Sequence, residues 1–181
     1  MFVEISDKYY LLLHPRPAYV IGSGRYGERI NLMAASWVTP VAEEPPRVAV
    51  AIGVESYTHE LIKQYREFTI NILSLEKLDV LYKMGSVSGR NVDKSSLVKV
   101  RKGEKVEAPV IEDSLGYLEC RVVDEHSSED VTLFIGDVLI AKANSNYFSK
   151  RSGWDFKKIN IPLHNWGRGF YSVGRFILAR K

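Results

Sequence analysis

The chain carries the stretch NLMAASWVTP at residues 31–40, which combines strand-like alternation with small side chains. In an extended backbone, the odd-numbered residues of this stretch point to one face and the even-numbered residues to the other. The small residues at positions 34–36 would let a flat heterocyclic ring approach the backbone, while Asn31 and Thr39 add polar groups at the two ends. An ordinary core strand is the alternative interpretation, and this stretch alone favours it.

Further strand-like segments lie on both sides of this stretch. They are rich in β-branched and aromatic residues, and the sequence predicts strands at residues 18–21, 30–38, 47–54, 67–73, 116–124 and 131–143. Short amphipathic segments predict helices at residues 58–66, 75–84 and 91–98, with Thr58 and Asn91 as N-caps. Pro45-Pro46 should separate two strands, because proline cannot donate to a sheet ladder. Many strands and few helices predict a mainly β, barrel-like domain rather than a doubly wound sheet.

Length and composition describe one domain that spans residues 1–181. The 181 residues are 45% apolar, which is enough to form a stable core. The net charge of 25 − 22 = +3 is small and the cations are scattered, so we expect no nucleic acid partner. No apolar stretch is long enough to span a bilayer and no secretory signal is visible. We therefore expect a cytoplasmic protein that does not enter the membrane.

Thiol and metal chemistry have little support in the sequence. Cys120 is the single cysteine, which excludes an internal disulfide and a zinc site built on several thiolates. It alternates with Leu118 and Val122, so we predict a small buried hydrophobe rather than a reactive thiol. The four histidines show no paired spacing, and we predict no metal site.

The segment GSGRYG at residues 22–27 matches the dinucleotide-binding pattern G-x-G-x-x-G. A Rossmann interpretation would place a helix at residues 28–37 and a ribose-binding acid at Glu55. That helix would be short and would run into Val38-Thr39-Pro40, which prefers extended structure. No second βαβ unit follows. We therefore interpret the segment as a hairpin connection in which glycine allows positive φ.

Two polar segments predict a place for an anion. Ser56-Tyr57-Thr58-His59 lies at a predicted helix start, where N–H groups and the helix dipole attract negative charge. In SGRNVDK at residues 88–94, Arg90 offers a bidentate fork and Lys94 a point charge beside a glycine turn. A simple helix cap and a solvated loop are the alternatives. One phosphate monoester attached to a flat ring would account for both segments and for residues 31–40.

The order of these motifs resembles the flavin-reductase-like FMN-binding split-barrel family, and its flavoredoxin and ferric-reductase-like branches most closely. The resemblance covers roughly residues 10 to 175, and the order of the motifs is more specific than any one of them. The matching segments are NxMxxSWxTP at 31–40, Pro45-Pro46, Thr58-His59, EFxxN at 67–71, SGRxxDK at 88–94, LECRV at 118–122 and TLFxGDV at 132–138.

This resemblance implies a split β-barrel of Greek-key type with a few short helices, which homodimerises and holds FMN near the dimer interface. FAD is the alternative flavin. The ring-lining residues implied are Asn31, Met33, Ala34, Ser36 and Thr39, with backbone near Ala51. The residues implied on the ribityl-phosphate side are Thr58, His59, Arg90 and Lys94, with Ser88 as a weaker candidate. No catalytic acid or base is implied, because in hydride transfer the cofactor does the chemistry.

The function implied is an oxidoreductase that passes electrons from NADH or NADPH through flavin to free flavin, ferric complexes or a redox partner protein. Relatives often place a histidine directly before the threonine of the TLF strand, where this chain has Val131. A non-enzymatic electron carrier or flavin-storage protein is therefore the alternative. The aromatic loop at residues 165–171 could cover the ring or the partner subunit. A nucleic-acid-binding barrel predicts aromatic and basic residues interleaved on one strand face, and the pattern Tyr117-x-Glu119-x-Arg121 fits this poorly.

Overall fold

The fold is built mainly of antiparallel strands. The computed structural model describes residues 2–179. The strands, numbered in chain order, are β1 (Arg16–Pro17), β2 (Tyr19–Arg25), β3 (Arg29–Ala35), β4 (Val38–Ala42), β5 (Arg47–Gly53), β6 (Glu67–Ile72), β7 (Val100–Lys102), β8 (Pro109–Ile111), β9 (Gly116–Ser128), β10 (Val131–Ala143), β11 (Phe148–Ser149), β12 (Gly153–Trp154), β13 (Leu163–Trp166) and β14 (Gly169–Tyr171). The α-helices are α1 (Tyr57–Tyr65) and α2 (Leu78–Ser86), and 3-10 helices cover Ser6–Leu13, Leu75–Lys77 and Lys94–Leu97.

Seven strands form one sheet in the order β3-β2-β6-β9-β10-β5-β4, and every neighbouring pair is antiparallel. All seven contribute to a single core cluster, including Met33 of β3 and Val38 of β4 at the two ends of the sheet. A flat sheet cannot bring its end strands to the same cluster, so this sheet curls around its core. Among the described residues, β3 and β4 do not pair with each other, which leaves the curled sheet open between them. The predicted mainly β fold is confirmed.

A second core lies on the other face of β2 and β3. Leu32 of β3 packs there with Val20 of β2 and with Leu81 and Met84 of α2. The helix spacing of Leu81 and Met84 puts both side chains on the face that covers the sheet. Helix α2 is thereby fixed against β3, the strand that carries the first part of the predicted ring-binding stretch.

The sequence predicted a continuous strand at residues 30–38, but the structure interrupts it. It breaks at Ser36 and Trp37 into the end of β3 and the start of β4. Met33 and Ala35 pack against the main core, and so does Val38, although simple alternation would turn Val38 to the other face. The two irregular residues shift the alternation by one, because the chain crosses here from one end of the open sheet to the other.

The GSGRYG segment forms the end of β2 and the turn into β3, so the predicted hairpin is present, although residues 22–25 are strand rather than connection. The two strands pair from Tyr19↔Ala35 to Arg25↔Arg29, and Gly24 and Gly27 have positive φ. Pro45-Pro46 separates β4 from β5, also as predicted. Residues 28–37, which a Rossmann fold would make helical, are mostly strand.

Two predicted N-caps are wrong. Ser56, and not Thr58, caps α1, because its side chain accepts a hydrogen bond from the His59 backbone N–H. Asp93, and not Asn91, caps the third helical segment, which is a single 3-10 turn at Lys94–Leu97. In both cases the cap is a polar residue near the predicted one, so spacing alone did not decide between neighbours.

Among residues 2–179, no helix is both long and apolar enough to cross a bilayer.

Candidate functional site

The candidate site follows β3, the end strand of the sheet. One edge of an end strand carries backbone N–H and C=O groups that no neighbouring strand satisfies. Outside the sheet, α1, α2 and the 3-10 helix Lys94–Leu97 all contact β3. Most of the predicted polar site residues belong to these elements or to the loops that begin them.

A buried hydrogen bond ties β3 to the start of α1. The Asn31 side-chain amide donates to Thr58 Oγ1 at 2.8 Å, and both residues are buried. The Asn31 Oδ1 oxygen is also buried but has no hydrogen-bond donor among the described residues. A buried acceptor without a donor costs free energy, so this oxygen marks a position where a hydroxyl or N–H group would be stabilising.

The loop between α2 and the 3-10 helix Lys94–Leu97 lies directly on Asn31. A Cβ atom added at Gly89 would collide with the Asn31 amide and would closely approach the Tyr57 ring. Only glycine lets the loop backbone come this close to β3. Gly89 therefore places Ser88 and Arg90 beside the start of α1.

Arg90 contacts three groups at this helix start. Its Nη1 donates to the Glu55 carbonyl at 2.8 Å, its Nη2 lies 3.2 Å from Glu60 Oε2, and its guanidinium lies over the Tyr57 ring. The Ser88 hydroxyl accepts from the Arg90 backbone N–H at 3.3 Å. A guanidinium has five N–H donors, so Arg90 retains donors for an anion. Tyr57, Gly89 and Arg90 line a cavity of about 440 Å³ that also reaches Arg29 and Ile30 of β3.

Lys94 is buried between α2 and β3. Its Nζ donates to the Met84 carbonyl at 2.7 Å, one residue before Gly85. Burial lowers the pKa of the Lys94 ammonium below its ordinary value. The structure thus brings Lys94 to the end of α2, where its ammonium binds that helix rather than the Arg90 loop.

A second cavity of about 260 Å³ lies at the other end of β3. Small groups form the wall on the strand side, where Gly85 of α2 comes so close that an added Cβ would lie 3.1 Å from Ala34 Cβ. A planar ring needs this kind of wall, because larger side chains would hold it away from the backbone. The lining residues are Ala18, Ala34, Ala35, Ser36, Leu81, Tyr82, Gly85, Ser86, His164, Gly167 and Phe170.

His164 lines this second cavity and His14 packs against it, and the sequence did not single out either one as a site residue. Ser36 Oγ and His164 Nδ1 are 3.5 Å apart, and the His164 Nε2 lies 3.4 Å from the Gly167 carbonyl oxygen. His14 Nδ1 lies 3.1 Å from the His164 carbonyl oxygen, across the β1–β13 pair. Burial lowers the pKa of His164, the Gly167 carbonyl partly offsets this, and His14 lowers it further. No local pattern could reveal a contact between residues 150 positions apart.

The remaining predicted residues lie elsewhere. The Met33 side chain packs against the main core, and the exposed Thr39 hydroxyl donates to the Pro40 carbonyl. The Ala51 backbone N–H donates to the Trp37 carbonyl at 2.9 Å. None of these residues lines either cavity along β3.

His59 faces β10 rather than the Arg90 loop. Its Nε2 lies 2.9 Å from Thr132 Oγ1, and its ring packs on Phe134 with centroids 5.4 Å apart. Burial lowers the pKa of His59, nearby Lys63 lowers it further, and Glu125 partly offsets both. His59 therefore does not meet Thr58, Arg90 and Lys94 in one cluster.

Cys120 is a core residue, as predicted. It is fully buried in the main cluster, and burial raises the pKa of its thiol to about 12. A thiol that resists ionisation at neutral pH is a poor nucleophile and a poor metal ligand. Within the described part of the chain, no group of histidine, cysteine and acidic residues is arranged to hold a metal ion.

The residues along β3 fit a molecule with a planar ring, a hydroxylated chain and an anionic end. The cavity with small walls suits the ring, and the cavity beside Arg90 offers donors to an anion. Between them lies the unpaired oxygen of Asn31, which lacks the donor that a chain hydroxyl would supply. The two cavities approach each other along β3 at Ile30 and Ala34, which lie about 13 Å apart in an extended strand. A flavin mononucleotide has these three parts in this order.

Comparison with known proteins identifies the family. Residues 11–174 match the family model described as flavin reductase like domain. An uncharacterized protein of Pyrococcus abyssi is 40% identical over 155 residues, or 86% of each chain. A NADH-dependent FAD reductase of Streptomyces globisporus is 26% identical over 110 residues, or 60% of each chain. The crystal structure of flavoredoxin from Methanosarcina acetivorans superposes with a TM-score of 0.88 at 29% identity and covers 99% of this chain and 95% of that one. Because the family model spans most of its length, the chain belongs to the flavin reductase like family.

Proposed function

We propose that this protein is an FMN-binding oxidoreductase that takes hydride from NADH or NADPH and passes electrons to free flavin, a ferric complex or a protein acceptor. The observation that supports it best is the run of features along β3, from the cavity at Ala34–Ser36 through Asn31 to the cavity at Arg90. FAD is the alternative flavin, and a homodimer is the assembly we expect from the resemblance to its family.

Specific residues would hold the flavin. Ala34, Ala35 and Ser36 would border the ring, and the Asn31 amide, already bonded to Thr58, would accept from the ribityl chain. Arg90 would meet the phosphate with the N–H groups that Glu55 and Glu60 leave free. Bound there, the flavin supplies hydride and electron transfer, while the chain orients it and excludes water.

Flavin binding is tested first. Ligand-free protein is incubated with FMN, with FAD or with buffer, desalted and examined by visible absorbance and by thermal denaturation. We expect about one FMN to remain per chain, and FMN at 100 times its Kd to stabilise the fold by about 2.7 kcal/mol. Protein that leaves the column without flavin, and whose melting temperature FMN does not change, would contradict the proposal.

A flavin carrier without reductase activity is the second candidate, and Val131 favours it. This residue begins β10, is half-buried and pairs with Gly53 and Ser128, at the position where relatives often carry histidine. Stopped-flow mixing of flavin-loaded protein with NADH and with NADPH separates the two functions. Rapid bleaching with either nucleotide supports the reductase, and none supports the carrier. We expect the variant Val131→His to bleach about tenfold faster, since a side chain that positions the nicotinamide for hydride transfer contributes factors of this size or more.

A further inference from the structure

The histidine pair at the ring-side cavity has a defined proton arrangement. His14 Nδ1 faces the His164 carbonyl oxygen, so this nitrogen carries a proton and donates to that oxygen. His164 Nε2 faces the Gly167 carbonyl oxygen and must also carry a proton. The Nδ1 atom of neutral His164 is then an acceptor, and the Ser36 hydroxyl is the donor that faces it.

In this arrangement, the charge of His164 determines whether the Ser36 hydroxyl donates or accepts a hydrogen bond in the cavity. When His164 is neutral, the hydroxyl hydrogen of Ser36 is used by the imidazole, and Ser36 offers only lone pairs to the cavity. When His164 is protonated, its Nδ1 becomes a donor to Ser36 Oγ. The hydroxyl hydrogen is then free to point into the cavity and to donate to a ligand there.

The surroundings of His164 are basic or neutral. His14 approaches it with ring centroids 5.4 Å apart, and Phe170 packs at 5.0 Å. No acidic residue lines the cavity in the described structure. The elements around His164 also carry titratable and charged side chains that do not line the cavity, together with His14 and Tyr82: Asp7, Lys8, Tyr9 and Tyr10 on the first 3-10 helix, Arg16 on β1, Asp79 and Lys83 on α2, Arg168 after β13 and Tyr171 on β14. A cavity with this charge favours ligand groups that accept hydrogen bonds or carry negative charge.

We propose that His164, held in place by His14, decides through Ser36 whether the cavity donates a hydrogen bond to the flavin ring, so that protonating His164 tightens flavin binding. The inference rests on the proposed function, because it needs the ring in this cavity. The isoalloxazine edge has more acceptors than donors, so the donating state of Ser36 is the better match. His14 is a positioning residue, since it acts through the His164 backbone carbonyl.

Thermodynamic linkage between protonation and binding determines whether bound flavin raises or lowers the pKa of His164. If protonation of His164 tightens ring binding by some factor, ring binding must favour protonation by the same factor. Bound flavin therefore raises the pKa of His164 from the lowered position that burial gives it in the free protein. Riboflavin is the correct probe, because it has the ring and the hydroxylated chain but no phosphate whose own titration would interfere.

The test measures riboflavin affinity by fluorescence quenching at about pH 7.5 and about pH 5 for wild type, His164→Asn and Ser36→Ala. We expect wild type to bind about threefold more tightly at the lower pH, a modest coupling of the kind that linked sites show. Both variants should lose this dependence: His164→Asn removes the charge, and Ser36→Ala removes the hydroxyl that transmits it. Circular dichroism spectra check that each variant is folded.

Nitrogen-15 NMR of the imidazole rings supplies a readout that does not involve flavin turnover. We expect the Nε2–H tautomer for His164 and the Nδ1–H tautomer for His14 in ligand-free protein at pH 7.5, and a raised His164 pKa once riboflavin is bound. The variant His14→Phe, which cannot donate to the His164 carbonyl oxygen, should weaken the pH dependence of riboflavin binding, because His164 is then held less firmly against Ser36. Flavin affinity that depends equally on pH in wild type and His164→Asn overturns the inference and leaves the proposed function standing. If riboflavin binds at neither pH, the inference fails; if FMN also fails to bind, the proposed function fails with it.

Discussion

At the scale of single residues, the Asn31–Thr58 hydrogen bond is the most sensitive contact of the site. It joins the end strand of the sheet to the first turn of α1, and both side chains are buried. The variant Thr58→Val keeps the side-chain shape but removes the acceptor, which leaves the Asn31 amide without any partner. We expect the free energy of unfolding to fall by about 1–3 kcal/mol, the usual cost of an unsatisfied buried group. Urea denaturation of the ligand-free protein measures it.

Thr39→Val is the matched control for this change. Thr39 is exposed on β4, and its hydroxyl bonds only the neighbouring Pro40 carbonyl, so the same substitution should change stability by no more than about 0.5 kcal/mol. FMN affinity should fall in Thr58→Val and stay unchanged in Thr39→Val. An equal effect of the two substitutions would show that the Asn31 amide finds another partner.

Single residues also show what the sequence can and cannot predict. Arg90, Thr58 and Ser36 were predicted from their motifs, and each borders or supports one of the two cavities. Met33 was predicted from the same motif, but it faces the core, because its side of β3 is the inside of the curled sheet. His14 was not predicted, since its role depends on a contact with His164 that only the folded chain creates.

At the scale of elements, the β2–β3 hairpin shows why a glycine pattern need not bind a nucleotide. A Cβ at Gly22 would collide with the Pro109 carbonyl of β8 and with the Thr69 hydroxyl of β6. Gly22 is therefore required where β8 crosses the sheet. The variant Gly22→Ala should lose about 3 kcal/mol of unfolding free energy, the upper end of the usual cost of overpacking, as measured by chemical denaturation.

The last glycine of the same pattern provides the comparison. Gly27 has a φ of 84° but has no atom within 4 Å of an added Cβ. The variant Gly27→Ala should therefore cost only the conformational strain of alanine in the left-handed region, about 1 kcal/mol. A larger loss for Gly27→Ala than for Gly22→Ala would mean that the turn geometry, and not the crossing of β8, explains the pattern.

Element boundaries were predictable where alternation ends at a turn and unpredictable where pairing extends a strand. The sequence predicted a strand at residues 116–124, whereas β9 runs from Gly116 to Ser128. The extra residues have no apolar alternation, but they pair with the start of β10, from Val131↔Ser128 onward. The break at Ser36 and Trp37 was equally invisible, because it depends on where the chain must cross the open sheet.

At the scale of the whole molecule, the chain topology brings together the distant segments that form the site. The small sheet β1-β13-β14 brings the start and the end of the chain together beside Ser36. Helix α1, helix α2 and the Gly89 loop come from three other segments, and all converge on β3. Motif order indicated the family and hence the fold, but the sheet order β3-β2-β6-β9-β10-β5-β4 follows from long-range pairing that no local pattern specifies.

The stability of the whole fold should depend on pH through His59 and His164, the two histidines whose pKa values burial lowers. Burial lowers the pKa values of His59 and His164 in the folded state, whereas in the unfolded chain both protonate near pH 6.5. As the pH falls below that value, the unfolded state binds more protons than the folded state, so the free energy of unfolding decreases until the folded histidines also protonate. Denaturation of ligand-free protein between about pH 7.5 and pH 5 should show this decrease.

Carboxylates act at lower pH and can be separated from the histidines. Hydrogen bonds from Ser95 lower the pKa of Asp93, and hydrogen bonds from Lys63 and Arg66 lower that of Glu125, so their contributions are lost only below about pH 4.5. The variant His164→Asn should lose less stability than wild type between pH 7.5 and pH 5. The variant His126→Asn, in which the replaced side chain is exposed on β9, should follow the wild-type curve. If His164→Asn follows it too, the cavity histidine is as accessible to protons in the folded protein as in the unfolded chain, and its burial against His14 and Phe170 has no energetic consequence.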